Sequence, residues 1–195
     1  FEVKNVDFKA GGKTKVSNVS FAIEKEGDII CLLGPSGIGK TTILRTIAGL
    51  EKINNGSIAL KGKILSSAKE NIEPEHRNIS LAFQENSLFP HYTVKKNILL
   101  GADRNKDKKN HQVSFQEIVK LLDISFILNK YPHEISAGEA QRASLARSLI
   151  SQPDLLLLDE PLSNVDQSFK EEIQEKLKKI LKSSKITTII VTHDS

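Results

Sequence analysis

The chain has 195 residues, 27% of them charged and 5% aromatic, and its net charge at pH 7 is +4. This length is enough for one domain with a sizeable core, and a basic excess this small does not argue for a nucleic-acid-binding protein. No stretch is apolar for long enough to span a bilayer, and Phe1 opens directly into a strand pattern. We therefore expect neither a membrane span nor a signal peptide.

The first part of the sequence has the pattern of strands and tight turns. Apolar and polar residues alternate over residues 1–8, which predicts a half-buried strand, and a turn at Gly11-Gly12 leads into a second strand over 16–23. The apolar run 29–33 predicts a buried strand. Cys31 lies in this run and is the single cysteine, so we expect a small core residue and no internal disulfide.

Helical spacing dominates the middle of the chain. A helix is predicted over about 40–48, a hairpin turn at Asn55-Gly56 and another strand over 79–83, after which helical spacing continues from 94 to 150. The polar run 101–111 interrupts this spacing and predicts an exposed loop, with a basic docking patch as the alternative.

The last part of the sequence returns to an alternation of strand and helix. Four leucines at 155–158 predict a fully buried strand of a parallel sheet. An amphipathic helix follows around 173–181, and a last strand is predicted over 186–191.

These elements predict one domain over residues 1–195. Its α/β core is expected from residues 1–85 and 151–195, with a helical subdomain inserted at about 86–150. The sequence contains no methionine and stops just after the last predicted strand. We therefore expect that both ends are truncated and that a C-terminal remainder is missing.

A glycine-rich segment lies between the predicted buried strand and the helix that follows it. It reads Gly34-x-x-x-x-Gly39-Lys40-Thr41, and this context is the one in which the pattern forms a phosphate-binding loop. Main-chain N–H groups and the helix start favour phosphate oxygens. Lys40 can reach the β- and γ-phosphates of ATP, and the Thr41 hydroxyl can bind Mg²⁺. The residues predicted to bind ATP here are Gly34, Pro35, Ser36, Gly37, Ile38, Gly39, Lys40, Thr41 and Thr42.

Two acidic residues follow the four-leucine strand. Asp159 would emerge at the carboxyl edge of a parallel sheet, where α/β proteins bind their ligands. A phosphate site needs a carboxylate for Mg²⁺ and a way to activate water. We therefore assign Asp159 to the metal and Glu160 to the general base.

The residues Ser136-x-x-Glu139 have the spacing of a capping box, with Ser136 as the N-cap of a helix from about Ala137 to Ile150. That structural role alone would explain the pattern. A capped helix start that contains Gly138 also presents N–H groups suited to an anion.

Residues 135–142 (Ile-Ser-Ala-Gly-Glu-Ala-Gln-Arg) resemble the Leu-Ser-Gly-Gly-Gln signature of ABC ATPases and the Gln-Gln-Arg tail that often follows it. The resemblance covers nearly the whole chain. It implies an α/β fold with a P-loop NTPase (RecA-like) core, an antiparallel β subdomain and an inserted α-helical subdomain. It also implies an ATP-dependent, head-to-tail homodimer, in which the signature of one subunit covers the γ-phosphate held by the other. The signature residues are Ser136, Ala137, Gly138 and Glu139.

Three further positions match motifs of that family. Gln84 resembles the Q-loop glutamine, which implies contact with Mg²⁺ or water and a response to the permease. Asp166 belongs to a segment that resembles the D-loop, which crosses the dimer seam. His193 resembles the switch histidine that contacts the γ-phosphate. The catalytic residues that the resemblance implies are Glu160, His193 and Gln84, and the Mg²⁺ ligands are Thr41, Gln84 and Asp159.

The chain departs from the family pattern in three places. Ala137 replaces a signature glycine, which adds a Cβ near the partner's nucleotide and predicts reduced turnover. Glu139 replaces the signature glutamine. Ala10 stands where an aromatic residue that stacks on adenine is expected, and Phe8, two residues earlier, is the candidate for that role.

Residues 83–98 resemble the Q-loop region of bacterial importer ATPases, the group that serves ferric iron, sulfate, polyamines and maltose, with ferric iron the nearest pattern. This implies integral-membrane permease subunits, an extracytoplasmic solute-binding protein and a peripheral position on the cytoplasmic face of the bacterial inner membrane. The alternatives are a soluble ABC ATPase not linked to transport, one half of an exporter, or a weakly active ATP-binding cassette.

Overall fold

The computed structural model describes residues 1–10, 13–83, 87–102 and 113–192, which form two four-stranded β-sheets and five α-helices. In chain order the elements are β1 (Glu2–Ala10), β2 (Lys13–Ala22), β3 (Ile29–Leu32), α1 (Lys40–Ile47), β4 (Ser57–Leu60), β5 (Lys63–Ser67), β6 (Ile79–Ala82), α2 (Val94–Ala102), α3 (Phe115–Leu121), α4 (Ala137–Ile150), β7 (Leu155–Asp159), α5 (Gln167–Ser183) and β8 (Thr187–Val191).

The first sheet is antiparallel, with the strand order β2-β1-β4-β5. Its strand β1 buries Val3, Val6 and Phe8, which are not evenly spaced by two. The pairing of β1 with β2 shifts register between these residues, and Asn5 has a positive φ of 49°. Such irregularities add a residue to one strand and turn its side chains. They explain how all three apolar side chains reach the same core.

The second sheet is parallel, with the strand order β3-β8-β7-β6. Its register places Leu32 beside Val191 and Val191 beside Asp159, so these strands end at one edge of the sheet. The segments that follow β3 and β7 therefore leave the sheet at the same edge, which positions the candidate site.

Both faces of the parallel sheet are covered. Leu155 and Leu157 pack with helix α1 and the antiparallel sheet, whereas Leu156 and Leu158 pack with apolar residues of α2–α5. All four are fully buried, and such burial contributes about 1.5–3 kcal/mol for each side chain. A strand buried on both faces needs an uninterrupted apolar run, which explains the four leucines.

Helices α2, α3 and α4 lie between β6 and β7 in the chain, inside the segment predicted to be helical. The turn predicted at Gly11-Gly12 and most of the polar run 101–111 lie outside the described residues. Among the helices of the described ranges, none has both the length and the apolar character needed to cross a bilayer.

The expectation that Cys31 is a small core residue is wrong, because Cys31 is exposed. Among the described strands, β3 pairs only with β8 and lies at the edge of its sheet. One face of β3 packs through Ile30 and Leu32 on the core around α1, but Cys31 points to the other face. There it borders a cavity of about 510 Å³ between β3 and α5. An apolar run alone cannot distinguish an edge strand from a central one.

Candidate functional site

The phosphate loop connects the edge strand β3 to helix α1. Gly37 and Gly39 have φ of 82° and 108°, a left-handed region that strains residues with a Cβ. No side chain caps the start of α1, and its first turn contains no acidic residue. The first main-chain N–H groups of a helix lack partners inside the helix, and together with the helix dipole they favour an anion.

Lys40 turns back over the loop that precedes it. Its side chain is 8% exposed, and its ammonium donates to the Gly34 carbonyl and to the Pro35 carbonyl, the latter at 2.9 Å. Among the described residues, the hydrogen-bond partners of this ammonium are main-chain carbonyls. The loop thus holds a largely buried positive charge beside a glycine-rich helix start, and this arrangement fits a phosphate group.

Asp159 and Glu160 stand at the carboxyl edge of the same sheet. Asp159 is the last residue of β7 and is buried, and Glu160 is half-buried. The Glu160 main chain has a φ of 48°, and its N–H donates to the Val191 carbonyl at 2.9 Å. Since α1 packs on β7, the phosphate loop and these carboxylates belong to one region of the molecule.

A magnesium ion fits the donor chemistry of this region. Thr41 is exposed in the first turn of α1, and Asp159 ends β7. Mg²⁺ prefers one or two carboxylates combined with phosphate oxygens and water, rather than an all-protein cage. The described ranges contain no cluster of three or more acidic, histidine or cysteine side chains able to hold a metal.

The capping box predicted at the start of α4 is confirmed. The Ser136 hydroxyl accepts from the Glu139 N–H at 3.2 Å, and the Glu139 carboxylate accepts from the Ser136 N–H at 2.7 Å. This main-chain bond lowers the pKa of Glu139. Gly138 follows the cap, and a Cβ there would lie 2.5 Å from the Asn164 carbonyl oxygen. The signature segment therefore lies directly against the segment after Glu160.

Several predicted residues do not contribute described contacts to the loop. Gln84 and His193 lie outside the described residues. Phe8 is fully buried in the core formed with α1. Its ring therefore packs in the core and is not accessible to a nucleotide base. Asp166 precedes α5 and is exposed, and its carboxylate does not cap that helix.

Two buried polar side chains near the site were not assigned roles from the sequence. Gln141 bonds to the main chain of Glu160 and Asn164. Arg77 is 2% exposed and donates to the carbonyl of Ile47, the last residue of α1. The signal in the sequence is weak, because a glutamine in a helix or an arginine before a strand is usually exposed.

Asn97 holds the stretch on which the importer interpretation depends. It is fully buried, and its side-chain oxygen accepts from the Phe89 N–H at 2.8 Å. Its amide nitrogen donates to the carbonyls of Phe89, Tyr92 and Thr93 at 3.1–3.2 Å. One side chain thus fixes the turn at 89–93, in which the Phe89 ring stays partly exposed.

A family model described as ABC transporter matches residues 16–163, about three quarters of the chain. The chain belongs to this family. The resemblance seen in its signature segment is therefore confirmed.

Relatives with similar sequences carry the names of importer subunits. The chain is 38% identical over 194 residues to the Fe(3+) ions import ATP-binding protein of Fusobacterium nucleatum, and covers 51% of that protein. It is 41% identical over 194 residues to the spermidine/putrescine import ATP-binding protein of Chromobacterium violaceum, and covers 52% of it. Each alignment includes 99% of this chain, so the chain spans about half the length of these relatives.

The fold is that of ABC ATPase cassettes. A dimeric, post-hydrolysis structure of the ATP-binding cassette MJ0796, bound to ADP and Pi, has a TM-score of 0.82 to this chain at 27% identity. The similarity covers 99% of this chain and 88% of that one. The predicted fold class, an α/β P-loop NTPase core with an antiparallel sheet, is confirmed.

Proposed function

We propose that this chain is the ATP-hydrolysing subunit of a bacterial ABC importer. One observation carries the proposal: the phosphate loop with its buried Lys40 and the pair Asp159-Glu160 follow strands that end at the same edge of one parallel sheet. Phosphoryl transfer needs a positively charged loop that binds the phosphates and carboxylates that bind the metal and activate water. That arrangement supplies both.

The substrate is MgATP, which supplies the γ-phosphoryl group while Mg²⁺ neutralises part of its charge. In this proposal the residues from Gly34 to Thr42 hold the phosphates, with Lys40 at the β- and γ-phosphates. Thr41, Asp159 and Gln84 would hold the metal. Glu160 accepts a proton from the attacking water, and His193 contacts the γ-phosphate.

Two copies of the chain form the working unit in this proposal. The signature residues Ser136, Ala137, Gly138 and Glu139 face the nucleotide of the opposite subunit, and Asp166 lies at the seam between subunits. The similarity to a dimeric cassette bound to ADP and Pi supports this assembly. The homodimer is expected to form only with ATP bound.

The transport role rests on the names of the relatives and on the turn at 89–93. We propose that closure of the dimer drives integral-membrane permease subunits at the cytoplasmic face of the inner membrane, supplied by a solute-binding protein. Relatives named for Fe(3+), spermidine/putrescine, sulfate and molybdenum match at similar identity. Ferric iron is our proposed solute, on the basis of the sequence pattern.

Replacement of Glu160 by glutamine tests the ATPase assignment. Glutamine keeps the size of the side chain but cannot accept the proton, so hydrolysis should fall by about 10²-fold or more. ATP binding should persist, and sedimentation at saturating MgATP should show a trapped dimer. A variant that remains monomeric, or that hydrolyses ATP at the parent rate, would contradict the proposal.

A further inference from the structure

Gln141 has no role in the site proposed above. Its side chain nevertheless lies where three parts of that site meet: the signature helix α4, Glu160 and residues 163–164. It is on α4 and is 3% exposed. Its amide nitrogen donates to the Glu160 carbonyl at 3.0 Å and to the Ser163 hydroxyl at 3.1 Å. Its amide oxygen accepts from the Asn164 N–H at 3.0 Å. Both sides of the amide are therefore used.

The main chain that Gln141 contacts is in an uncommon conformation. Glu160 has a φ of 48°, which a residue with a Cβ adopts only where its surroundings fix it. Its N–H donates to Val191 O at 2.9 Å, and its carbonyl accepts from the Ser163 N–H at 3.2 Å as well as from Gln141. Gln141 thus joins α4 to this strained peptide.

The same helix carries the signature segment one turn earlier. At Gly138 the helix approaches the Asn164 carbonyl so closely that a Cβ would lie 2.5 Å from its oxygen. Gln141 bonds the N–H of that same Asn164. The start of α4 and residues 160–164 are therefore held together at two adjacent points, one by close packing and one by hydrogen bonds.

We propose that Gln141 is a positioning residue for ATP hydrolysis, which fixes the main chain at Glu160 and at 163–164 to the signature helix. The inference rests on the proposed role of Glu160 as general base. It predicts that loss of Gln141 slows the chemical step but leaves nucleotide affinity intact. The reason is that the phosphate loop and Lys40 belong to β3 and α1, which Gln141 does not bond.

Two substitutions separate the hydrogen bonds from the volume of the side chain. Gln141→Leu keeps similar bulk but removes all of these bonds. Gln141→Glu can still accept from Asn164 N–H but cannot donate to the Glu160 carbonyl. Gln116→Leu, at an exposed position of α3, is the matched control.

The measurements are steady-state ATPase kinetics and equilibrium binding of a fluorescent ATP analogue. We expect both Gln141 variants to lose kcat by about 10- to 100-fold, the size of effect that a small misplacement of a catalytic group produces. KM and analogue affinity should stay at the parent values, and Gln116→Leu should match the parent throughout. If Gln141→Leu does not fold, as judged by its thermal melt, the kcat and analogue affinity of the isosteric Gln141→Glu test the inference.

A double-mutant comparison tests whether Gln141 acts through Glu160. In a Glu160→Gln background, measured in single-turnover assays, Gln141→Leu should cause little further loss, since the group it positions is already removed. A full additional loss in that background would overturn the inference. So would parent-like kcat in both Gln141 variants, or an affinity loss equal to the loss in kcat.

If the parent hydrolyses no ATP, or if Glu160→Gln is as active as the parent, the proposed function itself fails.

Discussion

At the scale of single residues, Ala137 is the departure from the ABC signature with the clearest consequence. It is exposed at the first position of α4, next to the N-cap residue Ser136, so its methyl group faces outward. In the proposed dimer that methyl group would crowd the partner's nucleotide. An intruding methyl commonly costs about 1–3 kcal/mol, so Ala137→Gly should raise kcat by about 5- to 150-fold. Ala137→Val should lower it. Equal turnover in Ala137→Gly and the parent, measured by steady-state phosphate release, would contradict this prediction.

Single residues could be predicted from the sequence where their environment is local. The capping bonds of Ser136 and the left-handed Gly39 depend on a few neighbouring residues, and both are visible in the pattern. Cys31 and Phe8 depend on distant elements. The exposure of Cys31 follows from the edge position of β3, and the burial of Phe8 follows from register shifts in β1. Both determinants depend on strands that lie elsewhere in the chain.

At the scale of elements, Arg77 holds helix α1 against the antiparallel sheet. Its guanidinium donates to the carbonyls of Ile72, Ile47 and Leu65 at 2.7, 2.8 and 3.0 Å, and also to two side-chain oxygens. Burial lowers the pKa of Arg77 to about 10, so it remains a cation at neutral pH. This side chain thus bonds the last carbonyl of the helix whose start forms the phosphate loop.

Arg77→Met should therefore destabilise the fold. Removing this buried donor leaves several carbonyls without a partner, at about 1–3 kcal/mol each. A total loss of about 3–5 kcal/mol would lower the melting temperature of a domain of this size by roughly 6–20 °C. Arg77→Lys should fall between the parent and Arg77→Met, because an ammonium has three donors and no planar fork. The matched control is Arg45→Met, since Arg45 lies on α1 but is partly exposed. Thermal unfolding followed by circular dichroism would contradict the prediction if Arg77→Met and Arg45→Met melted alike.

The elements themselves were largely predictable, but their arrangement was not. The helix expected over 137–150 is α4 with the same bounds, and the four leucines form the first four residues of β7. Periodicity shows which residues are buried in an element, because it is a local property. The strand order β3-β8-β7-β6 depends on pairings between residues far apart in the chain, such as Leu32 with Val191. That order is what brings the phosphate loop and Asp159 to one edge.

At the scale of the whole molecule, the proposed function assigns ATP hydrolysis to this chain and contact with the solute to other subunits. Relatives named for Fe(3+) and for spermidine/putrescine are 38% and 41% identical to this chain, so identity over these residues does not separate the two solutes. The physical reason is that the proposed site contacts phosphates, metal and a second copy of the chain. The solute would contact other subunits, and its identity must be sought in them.

The proposed transport role therefore predicts which proteins should co-purify with this one. Extraction of native membranes in mild detergent, capture of the protein and mass spectrometry should recover a multi-span permease and a solute-binding protein. The turn at 89–93 offers a specific control, because Asn97→Leu removes the bonds that fix it and leaves the phosphate loop untouched. In the proposed importer we expect this turn to contact the permease, because residues 83–98 resemble the Q-loop region of importer ATPases. That variant should therefore lose the permease but keep binding to a fluorescent ATP analogue. Recovery of ribosomal or DNA-associated partners from the soluble fraction, without any permease, would contradict the importer assignment and favour a soluble ABC ATPase.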